Sequence, residues 1–235
     1  ISLGVIAGYF GSDHNVVTKV RGCLARGRDK CEVFNHGMDA ATRFGDGMSV
    51  DQIQTILEDA HQIILDTLGF NANIFVPHQN SWGLNLLQAL RNMNYKIISA
   101  SIREGMQFNM TLDPLQMPQK TETAIYGEGS WPSIPPAAIL AACQDAYNAS
   151  DAACVIMSHP HEFGLGTVSL NDLAELIRLL EEDGWSSATF HSVAFPGSPE
   201  EKLQQLTSKA PTGLPAVWVC VVLLSILEFT ATVIA

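Results

Sequence analysis

Three short apolar runs in this chain lead into histidine. Residues 31–34 run into Asn35-His36-Gly37, with Met38, Asp39 and Ala40 next. Residues 73–76 run into Pro77-His78-Gln79-Asn80. Residues 153–157 run into Ser158-His159-Pro160-His161-Glu162. Short runs rich in Val, Ile and Phe suit strands of a buried, pleated sheet. In α/β sheets the loops at the C-terminal ends of strands converge on one crevice, and chemistry collects there. The three strand ends are therefore read as walls of one site.

The segments between the runs set the fold class. Ser49 and Gln52 form a capping-box pattern. The helix they open carries Ile53, Ile56, Leu57, Ala60, Ile63, Ile64 and Leu68 on one stripe, the spacing of a helix packed on a sheet. Gly69 closes it. Further helices are predicted over 14–25 behind Asp13, over 82–94, from Pro135 and Pro136 to 147, over 169–183 ahead of Gly184, and over 199–208. Further strands are predicted over 1–8, 95–101 and 187–193. Residues 103–134 are long for a connection, so they read as a functional excursion with short strands near 108–112 and 123–126. Strand and helix alternate, which means parallel strands with crossover helices. A barrel of β/α units and a doubly wound sheet both satisfy that pattern.

Composition narrows the function. The chain has 235 residues, enough for one large α/β domain, and a formal net charge of -11. No nucleic-acid partner is expected, because phosphate binding needs clustered Lys and Arg. Cys23 and Cys31 flank a loop and are placed to pair, while Cys154, inside an apolar strand, is expected as a buried thiol. The sequons Asn109-Met110-Thr111 and Asn148-Ala149-Ser150 fit surface segments of a secreted protein. The expected compartment is extracellular or the cell surface. The chain starts in a strand with Ile1 and no signal peptide, as a sequence lacking its start would.

The last residues break the alternation. The chain divides into a domain over 1–210 and a hydrophobic tail over 211–235. From Leu214 the tail is almost wholly apolar apart from Glu228, and it is about the roughly 20 residues a bilayer span requires. Small residues upstream, Ser208, Ala210 and Gly213, suit a glycolipid-anchor signal. Membrane helix, anchor signal and mis-predicted exon remain alternatives, the first two giving membrane attachment.

Each candidate residue has two readings. His36 is either a hydrogen-bonded packing residue or a ligand. Asp39 either accepts from a ligand or shapes its own turn. His159 is a general-acid candidate, since imidazole titrates near working pH and Pro160 stiffens the turn, or it only caps the strand with His161 and Glu162. Asn80 either lines a groove for a hydroxyl-rich ligand or, with Ser81, caps the next helix.

Taken together, Gly4-Val5-Ile6-Ala7-Gly8, Asn35-His36-Gly37, Phe75-Val76-Pro77 with Asn80, Ile97-Ile98-Ser99-Ala100 and Met157-Ser158-His159-Pro160 resemble polysaccharide deacetylases of the NodB-homology type. The resemblance spans residues 1–193 in order. It implies a distorted (β/α) barrel, usually of seven strands, here lacking its first strand. It implies a divalent metal, commonly zinc, on an Asp and two His, hydrolysing acetyl groups from polysaccharide or amino-sugar oligomers. By position His36 matches the first metal His and His159 the acid that protonates the leaving amine. Pro77 and Asn80 match the groove wall. The second metal His would stand at Ala40, and the metal and base Asp residues would precede Ile1. A domain that has lost catalysis and at most binds sugar is therefore the alternative.

Overall fold

The computed structural model describes residues 1–45, 47–101, 114–122, 134–149, 153–158, 170–195 and 217–224. Strand β1 (Ser2–Val5) is followed by α1 (His14–Leu24), β2 (Glu32–Asn35) and α2 (Val50–Leu68). Then come β3 (Ile74–Phe75), a 3-10 turn (His78–Asn80), α3 (Leu84–Asn92), β4 (Ile97–Ser101) and β5 (Leu115–Glu122). Helix α4 (Pro136–Asn148), β6 (Cys154–Ser158), α5 (Leu170–Glu182), β7 (Ser186–Ala188), α6 (Phe190–Ala194) and β8 (Val217–Leu224) complete the order.

The fold is α/β with one parallel sheet. Its strand order is β1-β2-β3-β4-β5-β6-β8-β7, with β1 also paired to β8. Each strand pairing is parallel. Strand β8 has β6 along one edge. Its other edge meets β7 over Val217–Val219 and β1 over Val221–Leu224. Residues 217–224 thus lie within the sheet. Among the described residues no helix is long and apolar enough to cross a membrane.

The period of two along the strands sorts side chains onto two faces. Phe34, Ile74, Val76, Ile97, Val155 and Met157 meet in one buried cluster, joined by Phe190 of α6. The opposite face carries the helices. Val5 and Val33 pack with Val17, Val20 and Ile64 of α1 and α2. Phe75 and Ile98 pack with Leu57, Leu86 and Leu90 of α2 and α3. Cys154 and Ile156 pack with Ile139, Leu176 and Leu180 of α4 and α5. Each such Leu or Ile, fully buried, contributes roughly 1.5–3 kcal/mol.

The helix signals of the sequence are realised in detail. Ser49 and Gln52 exchange both hydrogen bonds of a capping box, and Gly69 ends α2 with φ 81°. Cys23 and Cys31 are bonded as a disulfide. Four expectations need correction. Cys154 is not a free thiol: it is bonded to Cys143, because α4 packs directly against β6. The strand expected over 187–193 stops at Ala188, since Thr189 caps α6 through Ser192 N. Helix α3 starts behind Gly83, not Asn80 or Ser81. Strand β5 occupies 115–122, a stretch of mixed polarity assigned to connection. The strands expected near 108–112 and 123–126, and the helix over 199–208, lie outside the described residues.

Candidate functional site

Because the strands are parallel, their C-terminal ends share one edge of the sheet. At the end of β2, Asn35 turns outward: its side-chain amide donates to Tyr95 Oη (2.8 Å) and its side-chain oxygen accepts from Gly37 N (2.8 Å). Burial raises the Tyr95 phenol above its ordinary value, and the Asn35 hydrogen bond offsets only part of that. Gly37 has φ 96°, the left-handed region that glycine enters without steric cost. The chain then runs close past β1, where Ala7 N and Gly8 N donate to Gly37 O and Met38 O (both 2.9 Å).

His36 follows the inward row of Phe34, whose ring it meets edge-on at 6.3 Å between centroids. Only 3% of its surface is exposed. Its backbone N–H still donates to Val5 O (2.9 Å), so the residue is held on the sheet. Its Nδ1 lies 2.7 Å from Val76 O. A carbonyl can only accept, so Nδ1 carries the proton and, in the neutral ring, Nε2 presents a lone pair. That lone pair faces His78 Nδ1 at 3.0 Å. The two rings are 4.9 Å apart at 57°.

His78 arrives from β3. Asn35 pairs with Phe75, so Val76 and buried Pro77 carry the chain out beside His36. Pro77 holds φ -69°, ψ 136° and starts the 3-10 turn. Gln79 and Asn80 follow with φ 52° and 53°, a left-handed conformation uncommon outside glycine. Asn80 N donates to Pro77 O (3.1 Å) and Ser81 N to His78 O (3.2 Å), which closes the turn. Asn80, half-buried, sits beyond His78 on this wall.

Asp39 takes the turn role. Its carboxylate accepts from Ala41 N (2.7 Å), Thr42 N (2.7 Å) and Thr42 Oγ1 (2.9 Å). Partial desolvation pushes its pKa up, but the Thr42 and Ala41 N–H groups, the Thr42 hydroxyl and the charge of nearby His78 outweigh it. The group is held below the usual carboxylate range.

The structure thus brings His36, Pro77 and Asn80 to one place and sets His78, from the end of the 73–76 run, against His36. What sets position 36 beside position 76 is the β2–β3 register, a tertiary pairing. His159, His161 and Glu162 lie outside the described residues; Ser158, at the end of β6, is the last residue described before them.

Two imidazole nitrogens, His36 Nε2 and His78 Nδ1, face each other here. His36 has the arrangement of a ligating imidazole, with the other ring nitrogen anchored on a carbonyl. His78 supplies the second nitrogen. Among the described residues no group of three or more His, Cys, Asp and Glu side chains comes together. The two donors fit part of a metal's coordination shell.

The opposite end of β2 is built differently. Buried Glu32 accepts from Ser2 Oγ and Phe190 N (both 2.5 Å) and from His191 N (3.0 Å). Burial raises its pKa, against the lowering effect of those three donors. It completes the N-terminal cap of α6, where Thr189 serves Ser192 N. Beside it lies a cavity of about 160 Å³ bordered by Arg28, Phe70, Asn73 and His191.

No family model matches the chain, and no curated protein matches it. Solved structures do. A Mycobacterium smegmatis protein named as a candidate polysaccharide deacetylase aligns at a TM-score of 0.51 and 15% identity, over 88% of this chain and 73% of that one. The chain shares that protein's fold. The Xyl-CE4 domain of a multidomain xylanase from the hindgut metagenome of Trinervitermes trinervoides aligns at 0.48 and 14% identity, over 88% of this chain and 78% of that one. A family 4 acetyl xylan esterase from Clostridium thermocellum, solved with a cobalt ion, aligns at 0.47 and 16% identity, over 77% of this chain and 71% of that one.

Proposed function

We propose that the chain is a carbohydrate deacetylase domain that hydrolyses the C–N bond of N-acetylated sugars, releasing acetate and a free amine. The observation that supports this most is His36. It stands at the C-terminal end of a parallel strand, with its orientation fixed by Val76 O, on a fold shared with a candidate polysaccharide deacetylase. The sheet is read as a distorted (β/α) barrel, with the β8 pairings to β6 and β1 in support.

His36 holds a divalent ion, zinc in the first instance. When bound, such an ion supplies an acidified water and polarises the acetyl carbonyl. Pro77 and Asn80 line the groove that positions the oligosaccharide. His159 protonates the amine as it leaves, the role for which imidazole is suited near neutral pH. The polysaccharide partner and the extracellular or cell-surface location belong to the same proposal.

A second reading has specific support. Ala40 stands where the resemblance puts the second metal His, and the described donors number two. On that reading the domain binds polysaccharide without cleaving it. Acetate release from acetylated chito-oligosaccharide by the full chain separates the two. The deacetylase reading expects turnover that falls roughly 10²–10⁴-fold in His159→Ala. Oligosaccharide binding with no acetate release, in zinc-loaded protein, establishes the second reading instead.

A further inference from the structure

We propose that His78 is a metal ligand, and that it and His36 hold one divalent cation between them across the β2–β3 strand ends. This rests on the reading that the site takes a divalent ion, and it replaces the ligand missing at position 40 with one from the neighbouring strand. His36 Nδ1 is spent on Val76 O, so Nε2 is the only ring nitrogen that can bind an ion. That nitrogen points at His78 Nδ1, 3.0 Å away. Two nitrogens each about 2.1 Å from one zinc stand about 3.4 Å apart at a tetrahedral angle. Separating the rings by a few tenths of an ångström, and tilting both so that their lone pairs converge beside the line between the nitrogens, turns the contact into a shared coordination site.

The local backbone supports this use. Buried Pro77 and the left-handed pair Gln79 and Asn80 hold His78 in a tight turn directly beside His36. Such strained conformations persist where surrounding structure enforces them, and they cluster at ligand-binding sites. Position 40 lies in the Asp39 turn, where Ala40 O accepts from Arg43. Without an ion, the His36 lone pair requires His78 to donate through Nδ1–H. Cation binding requires the opposite tautomer, with the His78 proton on Nε2. The Nδ1 proton leaves that nitrogen when the ion binds, and His78 keeps one on Nε2.

The test uses the full chain. Zinc titration by calorimetry is expected to give one ion per chain, with cobalt giving the visible absorption of a nitrogen-ligated site. His78→Ala should weaken zinc binding at least 10–100-fold, with the circular dichroism spectrum unchanged. Ala40→His in that background should restore part of the affinity. In wild-type protein, histidine nitrogen NMR should show zinc moving the His78 proton from Nδ1 to Nε2. No zinc binding in wild type, unchanged affinity in His78→Ala, or a retained His78 Nδ1–H under saturating zinc would overturn the proposal. The outcomes separate from those for catalysis. Acetate release that survives His78→Ala with zinc affinity intact removes this ligand and leaves the deacetylase. Zinc held by both rings, with neither acetate release nor oligosaccharide binding, does the reverse.

Discussion

Strand β2 carries an ionisable side chain next to each of its ends, and the fold uses the two in opposite ways. At the N-terminal end Glu32 accepts from a hydroxyl and two helix N–H groups. At the C-terminal end His36 gives one nitrogen to a backbone carbonyl and turns the other toward a second imidazole. The disulfides follow the same division. Cys31 immediately precedes β2 and Cys154 begins β6, so both tie the N-terminal ends of strands to helices. One end of the sheet is fastened, and the other presents groups that can bind or exchange protons. β/α barrels make the same separation between stability and activity.

The largest way to break the contrast is to remove Glu32. Glu32→Ala leaves Phe190 N and His191 N without their acceptor in a buried place. The expected loss is about 3 kcal/mol, since each orphaned donor costs about 1–3 kcal/mol. Urea denaturation measures it. Zinc affinity should change little, because the hydrogen bonds of Glu32 go to Ser2, Phe190 and His191 and not to His36 or His78. Glu32→Gln sharpens the result. Its amide sets a donor against His191 N, so it should be destabilising at neutral pH while removing the titration. The sign is fixed by the raised folded pKa. The unfolded carboxyl loses its proton first as pH rises, so wild-type stability falls from the usual carboxylate range up through the folded value. That slope should flatten in Glu32→Gln.

The second break is the disulfide that sequence reasoning missed. Replacing Cys143 and Cys154 together by Ala opens a loop with a sequence separation of 11. The expected cost is roughly 3 kcal/mol on chain-entropy grounds. Thermal denaturation with and without reductant measures it. The Cys23/Cys31 pair, with a separation of 8, should cost slightly less.

What the sequence could disclose follows from range. The α2 cap, the Gly69 stop and the strand into His36 depend on neighbours within four residues, and each was readable. Cys23–Cys31 spans a single loop and was readable too. Cys143–Cys154 depends on α4 lying against β6, a tertiary fact, and an apolar strand is also where a free thiol would sit. Strand β5 was hidden because Pro118, Gln119 and Lys120 lack an alternating apolar pattern. Strand β8 has neighbours on both edges and an almost continuous apolar sequence, the composition that a bilayer span also has. The His36–His78 contact needed the β2–β3 register, which no local pattern supplies.

The smallest effect tests the boundary between turn and site within the polar end itself. Asp39 lies three residues from His36 and feels the charge of His78, yet its oxygens are committed to Ala41 and Thr42. Asp39→Asn keeps an acceptor for the two backbone N–H groups. The group is largely solvated, so water screens its charge interactions and the cost at pH 7 should stay below about 1 kcal/mol. The sign again follows from linkage. A depressed folded pKa contributes stability above the usual carboxylate range and loses it as pH falls through the folded value, so the variant should lose that acid-side slope. Zinc affinity should be unchanged if Asp39 only shapes the loop. A marked loss of zinc binding in Asp39→Asn would move the carboxylate from the turn into the metal site, and the line between scaffold and chemistry would then pass through Asp39 itself.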